Sequence, residues 1–281
     1  MKFISFTLDG RSSCGVVTDG GVVDIGSRDN AYRDLKSVLA AGALREVADS
    51  FGARPADLSV HEASFLPVIP NPGKIFCVGV NYEAHLKETG RKPTANPTIF
   101  TRFADTLVGH NAAMIRPSVS RSLDYECELA VIIGKGGRHI ERAQAMEHVA
   151  GYSCFNDGSV RDWQRHTGQF TPGKNFPATG GFGPFLVTPD EIGNVNELRI
   201  QTRLNGDVMQ DSNTSLLIFD IPALIEYLST FTTLAPGDVI ATGTPGGIGE
   251  KRDPQVFMRP GDEVIVEIED VGLLRNEILA E

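Results

Sequence analysis

The sequence lacks the features that would place the protein in a membrane or on nucleic acid. No apolar run approaches the roughly 20 residues that a membrane-spanning helix needs. Basic residues form no cluster, and the formal net charge of −10 disfavours binding to a phosphate backbone. The N-terminal segment meets an acidic residue and a glycine too early for a secretory signal peptide. We therefore predict a cytoplasmic protein without nucleic-acid or membrane partners.

Cysteine is scarce, and its spacing fits neither a disulfide framework nor a zinc site. The chain has four cysteines, none in a Cys-x-x-Cys pair and most within apolar runs. Such thiols are typically buried and reduced. Low-complexity tracts are also absent, and a chain of 281 residues with 41% hydrophobic content can bury a substantial core. One large domain or two modest ones are expected.

Apolar periodicity and turn signals divide the chain into two parts. Residues 1–70 are predicted to form a small α+β domain, with a hairpin around the Asp19-Gly20-Gly21 turn and a helical stretch near Leu35–Phe51. The proline-rich segment 67–73 is predicted to be a linker, since each proline blocks helix and central-strand pairing. Residues 74–281 are predicted to form the second domain, to which the motifs described below assign the catalytic role.

This second part consists mostly of short apolar runs separated by glycine turns. Strands and helices do not alternate regularly, so a doubly wound parallel sheet is disfavoured. We predict an α+β, mostly β fold, a mixed β-roll or barrel with helices packed outside. Helices are predicted at Tyr82–Thr89, Ala143–His148, Asp157–His166 and Ile221–Ser229.

Two glutamates alternate in one apolar run, and an aspartate ends another. Glu126 and Glu128 stand two apart in a predicted strand, so their side chains project from one face. Like charges this close repel, and a divalent cation would remove that cost. Asp157 is the third candidate ligand, and a set of carboxylates suits Mg²⁺, Mn²⁺ or Ca²⁺. A solvated outer face fits the same spacing, but the apolar continuation Leu129–Ile133 favours a strand entering a core.

Four other charged residues admit both a functional and a structural interpretation. Asp124 shares the face of the two glutamates, as a further ligand, a group bonded to a ligand, or the exposed start of the strand. His85 and Glu88 are three apart on a predicted helix, which suits either a water-activating base or a solvated pair. Lys174 is either a solvated loop charge or an ammonium that stabilises a substrate oxyanion.

Two further segments are less specific. Arg161 and Asp162 are adjacent and fit a surface pair, and Gln164 fits a helix face. The glycine-rich stretch 243–249 lacks the lysine and the helix start of a phosphate loop. Its glycines would instead let backbone amides and the Thr244 hydroxyl approach a ligand.

Taken together and in order, these motifs resemble the fumarylacetoacetate hydrolase family. The resemblance runs from about Lys74 to the C-terminus. The motifs that carry it are Val78–Tyr82 with His85 and Glu88, Asp124–Ala130, Asn156–Gln164, Gly173–Phe176, Leu204–Asp207 with Gln210–Thr214, and Gly237–Pro245.

The resemblance implies the fold of that family, a homodimer, and a set of site residues. It implies Mg²⁺ or Mn²⁺ as cofactor, with Ca²⁺ as a further candidate. The implied roles are metal ligation by Glu126, Glu128 and Asp157, water activation by His85 and Glu88, and substrate contacts by Lys174, Gln164, Thr244 and Tyr82.

The implied reaction is hydrolysis of the C–C bond between two carbonyls of a 2,4-dioxo acid. Acylpyruvates such as fumarylpyruvate or maleylpyruvate, from aromatic-compound catabolism, are the expected small-molecule partners. The alternative is decarboxylation or keto–enol isomerisation of an oxo acid, because all three reactions need a metal-stabilised enolate. A cation-stabilised binding module is the non-enzymatic alternative, and a His-x-x-Glu pair beside the metal motif argues against it.

The sequence departs from the resemblance at Arg102-Phe103, where many relatives carry Lys-Pro, and at Pro177, where they carry an acidic residue. Arg102 is therefore a candidate for binding the second carboxylate of a diacid substrate, because a guanidinium matches a carboxylate bidentately. A structural arginine tied to Asp105 is the alternative.

Overall fold

The computed structural model describes residues 1–281, which form eighteen strands and six α-helices. The strands are β1 Lys2–Leu8, β2 Arg11–Thr18, β3 Gly21–Asp24, β4 Ser64–Phe65, β5 Ile75–Gly79, β6 Thr98–Thr101, β7 Leu107–Val108, β8 Met114–Arg116, β9 Leu123–Asp124, β10 Cys127–Ile133, β11 Val149–Asn156, β12 Ser159–Val160, β13 Gly180–Val187, β14 Arg199–Leu204, β15 Asp207–Asn213, β16 Val239–Ala241, β17 Glu263–Ile268 and β18 Gly272–Ala280. The α-helices are α1 Leu35–Ala40, α2 Leu44–Gly52, α3 Glu83–Thr89, α4 Arg161–Gln164, α5 Thr171–Lys174 and α6 Ile221–Phe231. Short 3₁₀ helices lie at Val60–Glu62, Ala104–Thr106, Arg142–His148, Pro189–Glu191, Val195–Glu197, Thr214–Leu216 and Gly249–Lys251.

Two open sheets carry most of the chain. The larger has eleven strands in the order β3-β2-β1-β13-β11-β10-β16-β5-β6, with β4 on β1 and β7 on β13. The smaller has five strands in the order β15-β14-β17-β18-β8, and β9 pairs separately with β12. The prediction of a mostly β, α+β fold with peripheral helices is confirmed, and neither sheet closes on itself.

Strand β10 lies between two hydrophobic cores, and every one of its residues is therefore buried. Leu129 and Val131 face a core shared with α6 and the smaller sheet. Ala130 and Ile132 face the opposite core, which includes α1 and α2. A strand buried on both faces reads as a continuous apolar run, and this explains why Glu128 stands out in the sequence.

The N-terminal strands belong to the large sheet. Strand β1 pairs antiparallel with β13, with Phe3 opposite Leu186. The predicted helix over residues 35–51 is two helices, because the chain turns at Gly42 with φ of +65°, a conformation that favours glycine. The domain division near residues 70–74 stays a prediction, while the sheet and one core extend across it.

Of the four helices predicted in the second part, two are α-helices at the expected positions and two differ. Helices α3 and α6 lie where they were expected, and α6 begins at the N-cap Asp220 with Pro222 in its first turn. Arg142–His148 is a 3₁₀ helix. Only Arg161–Gln164 of the expected helix 157–166 is α-helical, because residues 159–160 pair with β9.

All four cysteines are free and buried, as predicted. Burial raises the pKa of Cys127 to about 12. No helix in the structure combines the length and the apolar character that crossing a bilayer requires.

Candidate active site

Three carboxylates meet at one end of the β10–β11 pair, and we call Glu126, Glu128 and Asp157 the acidic triad. Glu126 directly precedes β10, Glu128 is its second residue, and Asp157 directly follows β11. Because β10 and β11 are antiparallel, with Cys127 opposite Asn156, these positions lie side by side. One oxygen from each carboxylate lies within 4.8 Å of the other two, and all three residues are buried. The predicted cluster is confirmed.

Basic side chains neutralise two members of the triad. The Lys174 ammonium lies 2.6 Å from Glu126 Oε2 and 2.6 Å from Asp157 Oδ2, and Arg161 Nη1 lies 2.7 Å from Glu126 Oε1. Although burial alone would raise it, Lys174 and Arg161 lower the pKa of Glu126 to about 2. Burial disfavours the Lys174 ammonium as well, but Asp157 and Glu126 outweigh that effect and raise the pKa of Lys174. Two of the three carboxylates, Glu126 and Asp157, are thus already paired with basic side chains.

Glu128 has no cationic partner. Its Oε2 accepts a hydrogen bond of 2.9 Å from the backbone N–H of Gly243, and no basic side chain forms an ion pair with it. Burial and the nearby charges of Asp157 and Glu126 raise the pKa of Glu128 well above its ordinary value. An oxygen-only donor set with one uncompensated buried carboxylate fits a hard divalent cation. The triad can hold such an ion.

The glycine-rich loop after β16 reaches this site because of its glycines. Gly243 has a φ of +105°, and a Cβ there would lie 2.6 Å from the Cβ of Asn81. A larger residue would therefore move the amide that contacts Glu128. Four residues later, the N–H of Gly247 donates to Glu88 Oε2 at 2.9 Å.

His85 and Glu88 form the predicted pair. They face each other one turn apart on α3, with His85 Nδ1 2.7 Å from Glu88 Oε1. Glu88 is held from its other oxygen by the N–H of Gly247. A carboxylate on Nδ1 fixes the tautomer of a histidine and leaves Nε2 for proton transfer.

A cavity of about 490 Å³ joins these groups. The predicted site residues that line it are His85, Glu126, Glu128, Gln164, Lys174 and Thr244. Exposed basic residues at its rim are Arg91, Arg165 and Lys251, and the Arg91 guanidinium lies 4.8 Å from the ring centre of Phe170. Glu88 and Asp157 do not line the cavity themselves. Glu88 contacts the lining residue His85, and Asp157 contacts the lining residue Lys174.

The structure places Arg102 away from the cavity, contrary to its expected position. Its buried guanidinium donates to Asp157 Oδ1 at 2.7 Å, and its other bonds go to the Gly158 carbonyl and to the hydroxyls of Thr106 and Thr179. With every nitrogen occupied, this arginine orients a triad carboxylate and offers no fork to a substrate. The alternative partner Asp105 is not among its contacts either.

Tyr82 also lies outside the cavity lining. It is the N-cap residue of α3, and its buried hydroxyl has no hydrogen-bond partner. Burial and the proximity of Cys127 and Glu128 raise the pKa of this phenol well above its ordinary value. The expected substrate contact of Tyr82 is not seen in the geometry.

Arg161 and Asp124 contribute more than sequence reasoning assigned to them. Arg161 is buried, lines the cavity, and bridges Glu126 and Asp124, with Nε 2.8 Å from Asp124 Oδ2. Asp124 also accepts from the backbone N–H groups of Gly249 and Glu250, and so fixes the loop after β16. The alternation of Asp124 with Glu126 and Glu128 could have indicated this role. Three acids on one face of a buried strand need a basic side chain beside them.

The chain is similar to known proteins along most of its length. The family described as fumarylacetoacetate (FAA) hydrolase C-terminal matches residues 74–279. An oxaloacetate tautomerase, Fahd2a, mitochondrial, from Rattus norvegicus is 39% identical over 264 residues, 92% of this chain and 84% of the relative. An oxaloacetate tautomerase, FAHD2A, mitochondrial, from Homo sapiens is 40% identical over 265 residues, with the same coverage of 92% and 84%.

Solved structures give the same grouping. A fumarylacetoacetate hydrolase from Exiguobacterium antarcticum is 34% identical, with a TM-score of 0.87 and full coverage of both chains (100% and 100%). A maleylpyruvate hydrolase from Sphingobium sp. SYK-6, in complex with manganese(II) and pyruvate, is 28% identical, with a TM-score of 0.83 over 100% of this chain and 99% of that one.

Glu128→Gln tests the acidic triad. The amide can still accept from Gly243 but removes a buried charge without a cationic partner, so the metal-free variant should melt no lower than the parent at neutral pH. Mn²⁺ at about 100 times its Kd should stabilise the parent by about 2.7 kcal/mol and leave the variant almost unchanged. Thermal melts with and without Mn²⁺ measure both effects. Glu147→Gln, at an exposed residue, is the control; equal stabilisation of Glu128→Gln and parent would contradict the assignment.

Arg102→Lys tests the position of this arginine. A lysine cannot reach Asp157, Thr106 and Thr179 together, so Mn²⁺ affinity should fall roughly 10–100-fold, as for other groups that orient metal ligands. Losses in kcat/KM should be equal for diacid and monoacid substrates. Arg121→Lys, at an exposed position, serves as the control. A loss confined to diacids, with Mn²⁺ affinity intact, would restore the substrate-binding role.

Proposed function

Because the chain belongs to the fumarylacetoacetate hydrolase family, we propose that it is a metal-dependent enzyme that interconverts the enol and keto forms of oxaloacetate or a similar short oxo diacid. The observation that carries the proposal is the sequence identity of 39–40%, over 92% of this chain, with two oxaloacetate tautomerases. Keto–enol isomerisation, the alternative in the sequence analysis, thereby moves ahead of hydrolysis.

In this proposal the acidic triad holds one Mg²⁺ or Mn²⁺ ion. Such an ion supplies a Lewis acid that stabilises negative charge on the oxygens of a bound oxo acid. Arg102 and Arg161 each bind one oxygen of Asp157 and Glu126, so that the second oxygen of both carboxylates faces the Lys174 ammonium, which the ion would have to share or displace. Manganese in the related maleylpyruvate hydrolase supports this choice of ion.

The proton transfers are assigned to the His85–Glu88 pair. Ketonisation removes the proton from the enol oxygen and adds one to the neighbouring carbon, so a single base can take and return it. His85 lines the cavity, and Glu88 holds its Nδ1, so Nε2 is the nitrogen that faces the substrate in this proposal. Glu88 would stabilise the imidazolium that forms between the two transfers.

The charge of the cavity favours an anionic substrate. Arg91 and Lys251 lie at its rim together with Arg165, which is paired with the buried Glu250, and Lys174 with Gln164 lies deeper. We assign the deep residues, together with Thr244, to the oxygens of the reacting oxo-acid end. The rim would attract the second carboxylate, a role that the geometry of Arg102 does not fit.

Acylpyruvate hydrolysis is the second candidate. It is favoured by the likeness to a maleylpyruvate hydrolase and by a cavity of about 490 Å³, which has room for substrates longer than oxaloacetate. The same His85–Glu88 pair would then deprotonate a water that attacks the distal carbonyl, which would place the enzyme in aromatic-compound catabolism.

A substrate panel with product identification separates the two candidates. Enol oxaloacetate, fumarylpyruvate, maleylpyruvate and a monoacid acylpyruvate are each incubated with enzyme and Mg²⁺ or Mn²⁺. We expect the ultraviolet absorbance of enol oxaloacetate to decay faster with enzyme, without release of pyruvate or CO₂. Pyruvate released from an acylpyruvate, with no acceleration of tautomerisation, would establish the hydrolase instead.

His85→Ala tests the assigned base. Loss of a positioned base should lower kcat roughly 10²–10⁴-fold, while the Kd for Mn²⁺ stays within about twofold because the triad is intact. Lys87→Ala is the matched control, since Lys87 is exposed on the same helix and pairs with Glu83. Nearly normal kcat in His85→Ala would exclude this residue as the base.

The homodimer and the cytoplasmic location remain predictions of ours. Light scattering coupled to size-exclusion chromatography tests the first, and fractionation of the source cells tests the second.

A further inference from the structure

One buried amide connects the metal strand to the glycine-rich loop. Gln210 lies on β15 in the smaller sheet and is almost completely buried, at 1% exposure. Its Oε1 accepts from the backbone N–H of Cys127 at 3.0 Å and from the Thr202 hydroxyl at 2.8 Å. Its Nε2 donates to Thr244 Oγ1 at 2.8 Å and to the Pro245 carbonyl at 2.9 Å. All four hydrogen-bonding positions of the amide are used.

Two backbone partners fix the orientation of this amide. The Cys127 N–H can only donate and the Pro245 carbonyl can only accept, so Oε1 must face the first and Nε2 the second. A flipped amide would place two acceptors together at Pro245 and two donors together at Cys127. The direction of the remaining bonds follows, and the Thr244 oxygen accepts.

This direction decides what Thr244 offers to the cavity. Its oxygen is engaged by Gln210, and a further polar neighbour of the hydroxyl is the buried Cys127 thiol, a weak acceptor. Thr244 lines the cavity beside the acidic triad, so its O–H remains available as a donor there. A hydroxyl has one proton and two lone pairs; Gln210 occupies a lone pair, so the proton is left to point into the cavity.

We propose that Gln210 is a positioning residue that leaves the Thr244 hydroxyl proton free to donate to an anionic oxygen of the bound oxo acid. The inference rests on the proposed function for the identity of the oxo acid. Through Cys127, the same amide fixes the backbone between Glu126 and Glu128, and thus sets the loop hydroxyl at a constant distance from the metal ligands. The smaller sheet in this way helps to define the substrate site.

Gln210→Glu reverses the direction while keeping the shape. As a carboxylate, Glu accepts from Thr244 and draws its proton away from the cavity. As a neutral acid, it has one proton, which goes to Pro245 because a carbonyl cannot donate, so Thr244 still donates to it. In both protonation states Thr244 therefore donates to the glutamate, and its proton is no longer available to a ligand in the cavity.

The test is the binding of oxalate, a non-reacting planar diacid, to the Mn²⁺-loaded enzyme by titration calorimetry. Gln210→Glu and Thr244→Val should each weaken oxalate binding roughly three- to tenfold, the effect of one hydrogen bond. The double variant should show no further loss, because both changes remove the same donor. Thr202→Val, which removes only a bond to the other end of the amide, should bind oxalate like the parent. Thermal melts and the Kd for Mn²⁺ verify that each variant is folded.

Two results would overturn the proposal. Parent-like oxalate binding by Gln210→Glu would show that the direction of the bond is irrelevant. Losses that multiply in the double variant would show that Gln210→Glu acts through added charge or general disorder, since such effects persist without the Thr244 hydroxyl. Because oxalate binding involves no turnover, either result holds whichever reaction the enzyme catalyses.

Discussion

Four buried carboxylates lie at one end of the β10–β11 pair, and three buried basic side chains reach them from distant parts of the chain. The acids are Asp124, Glu126, Glu128 and Asp157, and the bases are Arg102, Arg161 and Lys174. Removing one partner of a buried ion pair is costly because it leaves an uncompensated charge. The pairs therefore fix the ends of β6, α4 and α5 around the two central strands. The cavity exists because these segments converge there.

The parts of the site that depend on local spacing could be predicted from the sequence. Alternation along a strand brought Glu126 and Glu128 to one face, and the spacing of one helical turn brought His85 to Glu88. Asp157, which no local pattern joins to the other two, was a candidate because it ends another apolar run, and the family resemblance implied the same role. The spacing of the carboxylates and the family resemblance together predict the acidic triad.

The parts that depend on long-range packing could not be predicted. Arg102 was expected to face a substrate, but its partner Asp157 lies 55 residues away, beyond the reach of any periodicity. Arg161 next to Asp162 looked like a solvated pair, although Arg161 turns inward to Asp124. The pairing of β1 with β13 joins strands that are far apart in the sequence, with Phe3 opposite Leu186, and apolar patterns carry no information on such partners.

The alternating pleat of β10 also bears on which metal ions the acidic triad would favour. Cys127 lies between the two glutamate ligands in sequence, yet it packs into the core with Leu129, on the face away from them. Its thiol is kept protonated by burial, with a pKa of about 12, so it offers no thiolate. Copper(I), which favours sulfur ligands, would therefore find three carboxylates and no thiolate in the acidic triad. A shift of β10 by one residue would turn the Cys127 thiol toward the ion and the two glutamates away from it. Such a site would favour softer metal ions.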